Sequence, residues 1–322
     1  MVLSVIICSH NPSGRYLDET LGALKRQSLQ MTEWELILVD NLSEPPLAER
    51  VDLGWHPRAK VIREEKPGLV HARLRGIREA QSFAMVFVDD DNILSGDYLI
   101  NTIGLIKDHP NLGCLGAGVI KPEFEKEPDP ELRPYLGELS LRTISSDHWS
   151  NRLENQPKPW GPGLVIIRPV ADAYVRSVEG SELAKKLGRN GTILLSGEDD
   201  YFSYVAHRLN LGTGLFTSLK VTHLIPANRV SKDYLLQLYE AKGATRALLD
   251  MLNGYQYNNK FMEHSLVRSL HLMLRLRVSL FLQEIYGWWM SRRKSDLDRE
   301  FSKAWKSGYD SARRDFQPRA AI

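Results

Sequence analysis

The sequence predicts an α/β protein: a mostly parallel sheet flanked by helices, followed by a C-terminal helical extension. Three observations predict it. Short apolar runs rich in Val and Ile end abruptly in turn residues or carboxylates, segments with apolar residues at helical spacing lie between them, and the two kinds alternate over the first 120 residues. At 322 residues and 43% hydrophobic content the chain can bury a full core.

The elements follow in order. Val2 to Cys8 is the first strand; it lacks the basic stretch that opens a signal peptide. Ser9 to Gly14 is turn-rich, and Leu17, Leu21 and Leu24 then recur at helical spacing. Trp34 to Val39 and Ala59 to Arg63 are further strands, and a helix runs from Leu69 to Ala80 behind Lys66-Pro67-Gly68. The run Ala84 to Val88 is a fourth strand, followed by a helix through Leu99, Ile103 and Ile106 and a Gly-rich strand from Cys114 to Ile120. From Lys121 to Pro162 the pattern dissolves into a long segment studded with Tyr135, Trp149 and Trp160, of the kind that is either functional or disordered. Leu164 to Arg168 is a strand and Ala171 to Val178 a helix. A further helix opens at Ser196-Gly197-Glu198-Asp199-Asp200 with Phe202, Val205 and Leu209 on one face, and from Lys232 the chain reads as helical to its end.

Charge and cysteine content exclude some classes. Forty-two basic and 40 acidic residues leave a net charge of +2, which gives no overall pull toward nucleic acid. Cys8 and Cys114 lie in apolar runs without metal-ligand spacing, so neither a disulfide nor a zinc framework is expected, and the chain reads as cytoplasmic. No uninterrupted apolar stretch is long enough to span a membrane.

The chemistry concentrates where Ala84-Met85-Val86-Phe87-Val88 runs into Asp89-Asp90-Asp91-Asn92. Three adjacent carboxylates repel and need a partner, and hard oxygen donors at one strand end suit Mg²⁺ or Mn²⁺ bound together with substrate phosphates. A solvated acidic turn is the plain alternative. Glu198, Asp199 and Asp200 are a second acidic group, which can equally serve to cap a helix and offset its dipole.

Taken together, five stretches in this order resemble the family 2 glycosyltransferases. They are Leu3 to Asn11, Leu38-Val39-Asp40-Asn41-Leu42-Ser43, Gly68-Leu69-Val70-His71-Ala72-Arg73, Val88-Asp89-Asp90-Asp91, and Gly197-Glu198-Asp199-Asp200. The resemblance covers roughly residues 2 to 230 and implies the Rossmann-like GT-A fold and inverting transfer of a sugar from a nucleotide diphosphate donor. It divides the chain into a catalytic domain, 1–230, with a nucleotide-binding half (1–120) and an acceptor-binding half (121–230), and a helical region, 231–322. The chain departs from the family pattern at Ser9-His10, at Asn41 in place of a second Asp, and at Leu74 in place of Asn.

Roles follow from the resemblance. Ser9, Asn11, Asp40, Arg73, Asp89 and Asp90 are expected at the nucleotide sugar, with Asp40 accepting the N3–H of uracil and Arg73 on the diphosphate. The other readings are a loop cap for Asp40 and a solvated helix arginine for Arg73. Asp91, Asp89 and His223 are expected to hold Mn²⁺ or Mg²⁺, His223 being a structural histidine otherwise. Asp199 is expected as the base, Glu198 as the residue that orients the acceptor, and Asp200 as the fallback base. Trp160, with Gly161 and Gly163, is expected at the acceptor sugar; a core anchor is the alternative for the indole. The donor is UDP-linked on this reading, and the acceptor is a glycan or lipid-linked sugar in polysaccharide biosynthesis.

Two other functions compete. A sugar-phosphate nucleotidyltransferase also binds Mg²⁺ through carboxylates, but the turn after Cys8 holds one glycine, Gly14, where that class carries a Gly-rich phosphate loop. A non-catalytic carbohydrate-binding relative would tolerate loss of acidic residues that are all present here. In the C-terminal region, His264, Arg268, His271, Arg275 and Gln283 trace a polar stripe opposite Leu266, Leu270, Met273, Leu274, Val278, Phe281 and Ile285, ahead of Trp288, Trp289 and Arg292-Arg293-Lys294. A period-two alternation from Leu270 to Leu282 would suit a strand, yet the length of the run favours a helix. Such a helix either packs on the catalytic domain or a second subunit, or lies peripherally at the inner face of a membrane.

Overall fold

The computed structural model describes residues 2–152, 157–191, 193–253 and 295–316. The chain divides into two compact units, Met1–Leu238 and Tyr239–Ile322.

The first unit is a ten-stranded sheet in the order β3-β2-β1-β4-β9-β6-β10-β5, with β7 on β6 and β8 on β10. Strands β1 (Leu3–Ser9), β2 (Trp34–Asp40), β3 (Ala59–Arg63) and β4 (Ala84–Val88) are mutually parallel. The short β9 (Val165–Ile167) runs antiparallel between β4 and the long β6 (Leu112–Phe124). β10 (Gly212–Ile225) pairs in parallel with β6, while β5 (Asn92–Leu94), β7 (Arg142–Thr143) and β8 (His148–Ser150) pair antiparallel at the margins.

Why the central strands read as continuous apolar runs is plain from their burial on both faces. Successive residues point to opposite sides. Leu3, Val5 and Ile7 pack with Leu17, Leu21 and Leu24 of α1 (Gly14–Lys25) and with Tyr98 and Leu99 of α3 (Tyr98–Asp108). On the other face Ile6 meets α2 (Leu69–Glu79) so closely that a Cβ at Gly76 would lie 2.5 Å from its methyl group. Phe202 of α5 (Glu198–Arg208) stacks on Tyr174 of α4 (Arg168–Glu179) and tilts against Phe87 of β4.

Two expectations are corrected. Lys121 to Pro162 is not patternless in its described part: β6 continues to Phe124, and the 3₁₀ helix Pro130–Leu139 buries Leu132, Tyr135, Leu136 and Leu139. Leu209 does not line the core face of α5; it caps the helix and is 39% exposed, while Tyr201 and Ala206 are buried with Phe202 and Val205.

The unit boundary falls inside α6 (Lys232–Leu252). In the second unit α6 packs on α7 (Asp296–Phe316) through glycines. A Cβ on Gly243 would collide with the Trp305 carbonyl and one on Gly308 with the Glu240 carbonyl, so the backbones approach as closely as two helices can. Ala247, Tyr309 and Ala312 form the buried cluster there. The amphipathic stripe from Ser265 to Met290, Trp288, Trp289 and the Arg292-Arg293-Lys294 run lie outside the described residues. No helix among the described residues is long and apolar enough to cross a membrane. Gly308→Ala should force these helices apart, at about 1–3 kcal/mol, the usual cost of overpacking. Urea denaturation of the variant should show that loss; unchanged stability would mean that the crossing is looser than drawn.

Candidate active site

Because β1, β2 and β4 run parallel, Ser9, Asp40 and Val88 arrive at one edge of the sheet, and the loops beyond them build the site there. The first two loops are stitched to each other. The Asn11 N–H donates to Ser43 Oγ (2.9 Å), its Oδ1 accepts from the Glu44 N–H (2.8 Å), and His10 Nδ1 donates to the Asn41 carbonyl (2.7 Å). Asn11 takes a left-handed φ of 48° to do so, a conformation Asn tolerates better than most residues.

Asp40 is the cap of its loop. Its carboxylate accepts from the Ser43 N–H (2.8 Å), the Leu47 N–H (3.1 Å) and Arg63 Nη1 (2.9 Å), and it is 1% exposed. Burial pushes this carboxyl up, but the Ser43 and Leu47 hydrogen bonds and the Arg63 charge together outweigh it and hold it below its ordinary value. Of its two expected roles, cap and base contact, the geometry gives the first. Asn41 is equally committed: its Nδ2 donates to the Glu64 (3.1 Å) and Lys66 (2.7 Å) carbonyls, and its Oδ1 accepts from the Gly68 N–H (2.8 Å), which fixes the approach to α2.

The acidic triplet forms the next turn, closed by the Asn92 N–H on the Asp89 carbonyl (3.1 Å). Ser9 does not reach outward for a nucleotide; it is buried, and its hydroxyl donates to Asp90. Burial, with Asp91 alongside, pushes the Asp90 carboxyl up to about 7. Asp89 points to Arg73, whose Nη2 is 3.9 Å away. Asp91 accepts from the Asn92 amide (2.9 Å) on Oδ1 and from Arg229 Nη1 (2.9 Å) on Oδ2. Burial opposes its ionisation, but His223 and Arg229 prevail and hold it well below the carboxylate range.

Arg73 is neither a solvated helix residue nor a free diphosphate clamp. It is 5% exposed, lies over the Phe87 ring at 5.4 Å, and sets its Nη1 3.6 Å from Glu198 Oε2. Burial works against its charge, yet Glu198 and Asp89 more than compensate and raise its pKa further. Glu198 is 2% exposed and accepts from Tyr174 Oη (3.1 Å); burial raises its pKa despite Arg73. It therefore positions Arg73 from behind and does not face an acceptor. The geometry joins the two acidic motifs through one guanidinium.

Gly161 lies against that bridge: a Cβ there would sit 3.4 Å from Arg73 Nη2 and 3.5 Å from Asp89 Oδ2. Its N–H donates to Asp199 Oδ2 (3.2 Å), so Asp199 stands at the edge of the same cluster, half-buried. Asp200 pairs with Lys158 Nζ (2.8 Å). Trp160 has one ring face covered by Arg142, 3.5 Å from the centroid, so that face is not free to stack on a sugar. Burial pushes Arg142 down to about 10, against the pull of Asp199 and Asp200. Gly163 is a packing glycine with φ 73°: its carbonyl accepts from the buried Tyr98 hydroxyl (2.6 Å) and a side chain would strike that ring.

His223 comes to Asp91 through sheet register, since His223 is opposite Asn92 and the Leu224 N–H donates to the Asp91 carbonyl (2.8 Å). Its Nδ1 lies 3.0 Å from the Leu139 carbonyl, an acceptor, so in the neutral ring Nε2 presents a lone pair, and it does so toward Asp91 Oδ2 at 3.5 Å. In that neutral ring the nitrogen and the carboxylate oxygen could share a cation, whereas the imidazolium would donate to Asp91 directly. One carboxylate oxygen and one imidazole nitrogen, completed by phosphate oxygens, fit a divalent ion of the Mn²⁺ or Mg²⁺ kind. Asp89, the third expected ligand, is turned to Arg73, and among the described residues no three His, Cys, Asp or Glu are grouped to hold a metal. Arg229, Asn41, Tyr174 and Arg142 are the members that sequence reasoning missed. Only Asn41 left a signal, as a departure from the family pattern.

Comparison with known proteins shows the family and the fold. The profile described as glycosyl transferase family 2 matches residues 4–170, just over half of the chain. The poly(ribitol-phosphate) beta-N-acetylglucosaminyltransferase TarS of Staphylococcus aureus is 26% identical over 142 residues, covering 41% of this chain and 24% of the relative. The inactive polypeptide N-acetylgalactosaminyltransferase-like protein 5 of Macaca fascicularis is 27% identical over 146 residues, covering 44% and 29%. The match thus spans about a quarter of the length of these curated relatives. The crystal structure of S. aureus TarS residues 1–349 superposes with a TM-score of 0.50 at 16% identity, over 99% of this chain and 93% of that one, and shows the GT-A fold.

The Asp40 cap makes the stability of the fold depend on pH. Asp40→Asn puts an NH₂ where only donors surround it and should cost about 1–3 kcal/mol at neutral pH. Since the folded Asp40 pKa is depressed, its contribution is present above the unfolded value of about 4 and is lost as the pH falls through the folded value. The stability gap between wild type and variant, measured by urea denaturation, should therefore narrow on acidification; a gap that widens contradicts the cap.

Proposed function

The chain belongs to glycosyl transferase family 2, and from that membership we propose that it is a metal-assisted, inverting transferase that moves a sugar from a UDP-linked donor to a hydroxyl of a glycan or lipid-linked acceptor. The observation that carries the reading is the Arg73 bridge, with Asp89 of the donor-side motif 3.9 Å to one side and Glu198 of the acceptor-side motif 3.6 Å to the other. A merely solvated acidic turn would have no reason to be tied to a second acidic motif through a buried cation.

The residues divide the work. Asp91 and His223 would hold the divalent ion, which when bound supplies Lewis-acid neutralisation of charge on the departing diphosphate, ordinarily worth several kcal/mol. Asp89, less buried than Asp91, is left for the donor's ribose. Asp199, which accepts from the Gly161 and Asp200 N–H groups at the edge of the cluster, takes the proton of the acceptor hydroxyl as that oxygen bonds to C1 and the C1–O bond to the diphosphate breaks. Asp200, held by Lys158, is the weaker candidate for that proton. Glu198 and Tyr174 keep Arg73 in place between the two halves.

The test is product analysis with UDP-sugars and Mn²⁺. Release of UDP supports transfer, whereas release of pyrophosphate would mean nucleotidyl transfer and release of neither a binding protein. Asp199→Asn should lose about 10²- to 10⁴-fold in turnover while UDP binding, read by calorimetry, stays intact. If Asp200→Asn is the dead variant and Asp199→Asn is active, the base is one residue further along α5.

A further inference from the structure

We propose that Arg229 holds the cation position of the donor site and surrenders it to the donor's diphosphate, so that a divalent ion reaches Asp91 only together with the nucleotide. The inference rests on the metal-assisted reading above and concerns a residue that neither motif contains. Its basis is a conflict over one atom. Asp91 is 7% exposed; its Oδ1 is taken by the Asn92 amide at 2.9 Å, and its Oδ2 is the oxygen that faces His223 Nε2 at 3.5 Å. An ion shared by Asp91 and His223 must therefore sit on Oδ2. That oxygen already carries Arg229 Nη1 at 2.9 Å. A guanidinium and a divalent ion on the same oxygen repel unless an anion lies between them.

What fixes Arg229 and what frees it are separate. Its backbone belongs to the 3₁₀ helix Ala227–Val230, which Glu125 pins by accepting from the Ala227 N–H (3.0 Å) and from the Tyr16 hydroxyl while its own N–H donates to the Ile225 carbonyl (3.0 Å). The Cα is thus fixed close to Asp91. The side chain is 26% exposed, so it is not fully enclosed, and its stem has rotatable bonds about which it can turn. A diphosphate arriving beside Asp91 offers what the carboxylate offers, paired anionic oxygens that match the planar fork. Once Arg229 has moved onto it, Oδ2 is open to the ion and the phosphates complete the ion's shell. Cation and nucleotide then bind with positive coupling, each tightening the other by the same factor.

The experiment titrates Mn²⁺ into the full-length protein, with the free ion read by electron paramagnetic resonance, with and without UDP. Wild type, Arg229→Gln and Arg229→Lys are compared. Without UDP, Arg229→Gln should bind Mn²⁺ about 10- to 100-fold more tightly than wild type, the range spanned by loss of one charge-assisted hydrogen bond. Arg229→Lys, which keeps a cation, should stay near wild type. UDP should tighten Mn²⁺ strongly in wild type and much less in Arg229→Gln. A damaged fold would not tighten metal binding, so misfolding cannot imitate this result. Equal or weaker Mn²⁺ binding by Arg229→Gln without UDP, with wild type binding Mn²⁺ normally when UDP is present, overturns this inference alone. Mn²⁺ that stays free with all three proteins even with UDP overturns the metal reading and this inference with it.

Discussion

The site depends on a buried positive charge. Arg73, on the sheet-facing side of α2, is enclosed by Phe87, Gly161, Asp89 and Glu198. A guanidinium taken out of water is tolerable only where carboxylates replace the hydration, and the two available come from different motifs. That requirement pulls the end of β4 and the start of α5 to the same point. It also dictates small neighbours: Gly161 packs against Arg73 and Asp89, and Gly188 lies so near Glu198 that a Cβ would stand 2.6 Å from Oε2. Truncating Arg73 would leave both carboxylates without their shared partner.

Much of the fold was legible because its signals are local. The apolar runs of β1, β2 and β4 are buried on both faces and can be read without knowing what covers them. Helices α1 and α2 carry their apolar stripes openly. The segment after β6 was opaque for the opposite reason. Its 3₁₀ helix holds Leu132, Tyr135, Leu136 and Leu139 at helical spacing, but Pro134 inside the run argues against a helix in the sequence, and β8 is a short margin strand that exists only because β10 is there to pair with it.

The candidate site was legible as a set of residue types and not as a set of roles. Asp40 and Asn11 carry groups that a nucleotide could use, yet the turns they occupy leave backbone N–H groups needing acceptors inside the protein, and those claims are met first. Trp160 has an aromatic face, and Arg142, 18 positions earlier in sequence, covers it. Arg229 reaches Asp91 across a chain separation of 138 residues, so nothing near either residue announces the pair. In each case the sequence states what a side chain can do, and tertiary structure decides which claim on it is satisfied.

The acidic triplet shows how far that decision extends, because three identical adjacent side chains end up chemically unlike. Their mutual repulsion has no single remedy. Asp89 turns toward Arg73 and is more open than Asp91. Asp90 is half-buried beside Ser9, and burial of its carboxyl, with Asp91 alongside, raises it to about 7. Asp91 receives Arg229 and faces His223, and is held well below the carboxylate range. The fold enforces the difference: the triplet lies in the turn between β4 and β5, and the pairing of β5 with β10 brings His223 to Asp91. One strand end thereby offers three carboxylates in unlike surroundings, two of them raised and one lowered. Three equal charges at one point would repel one another, and unlike surroundings are how the fold relieves that repulsion.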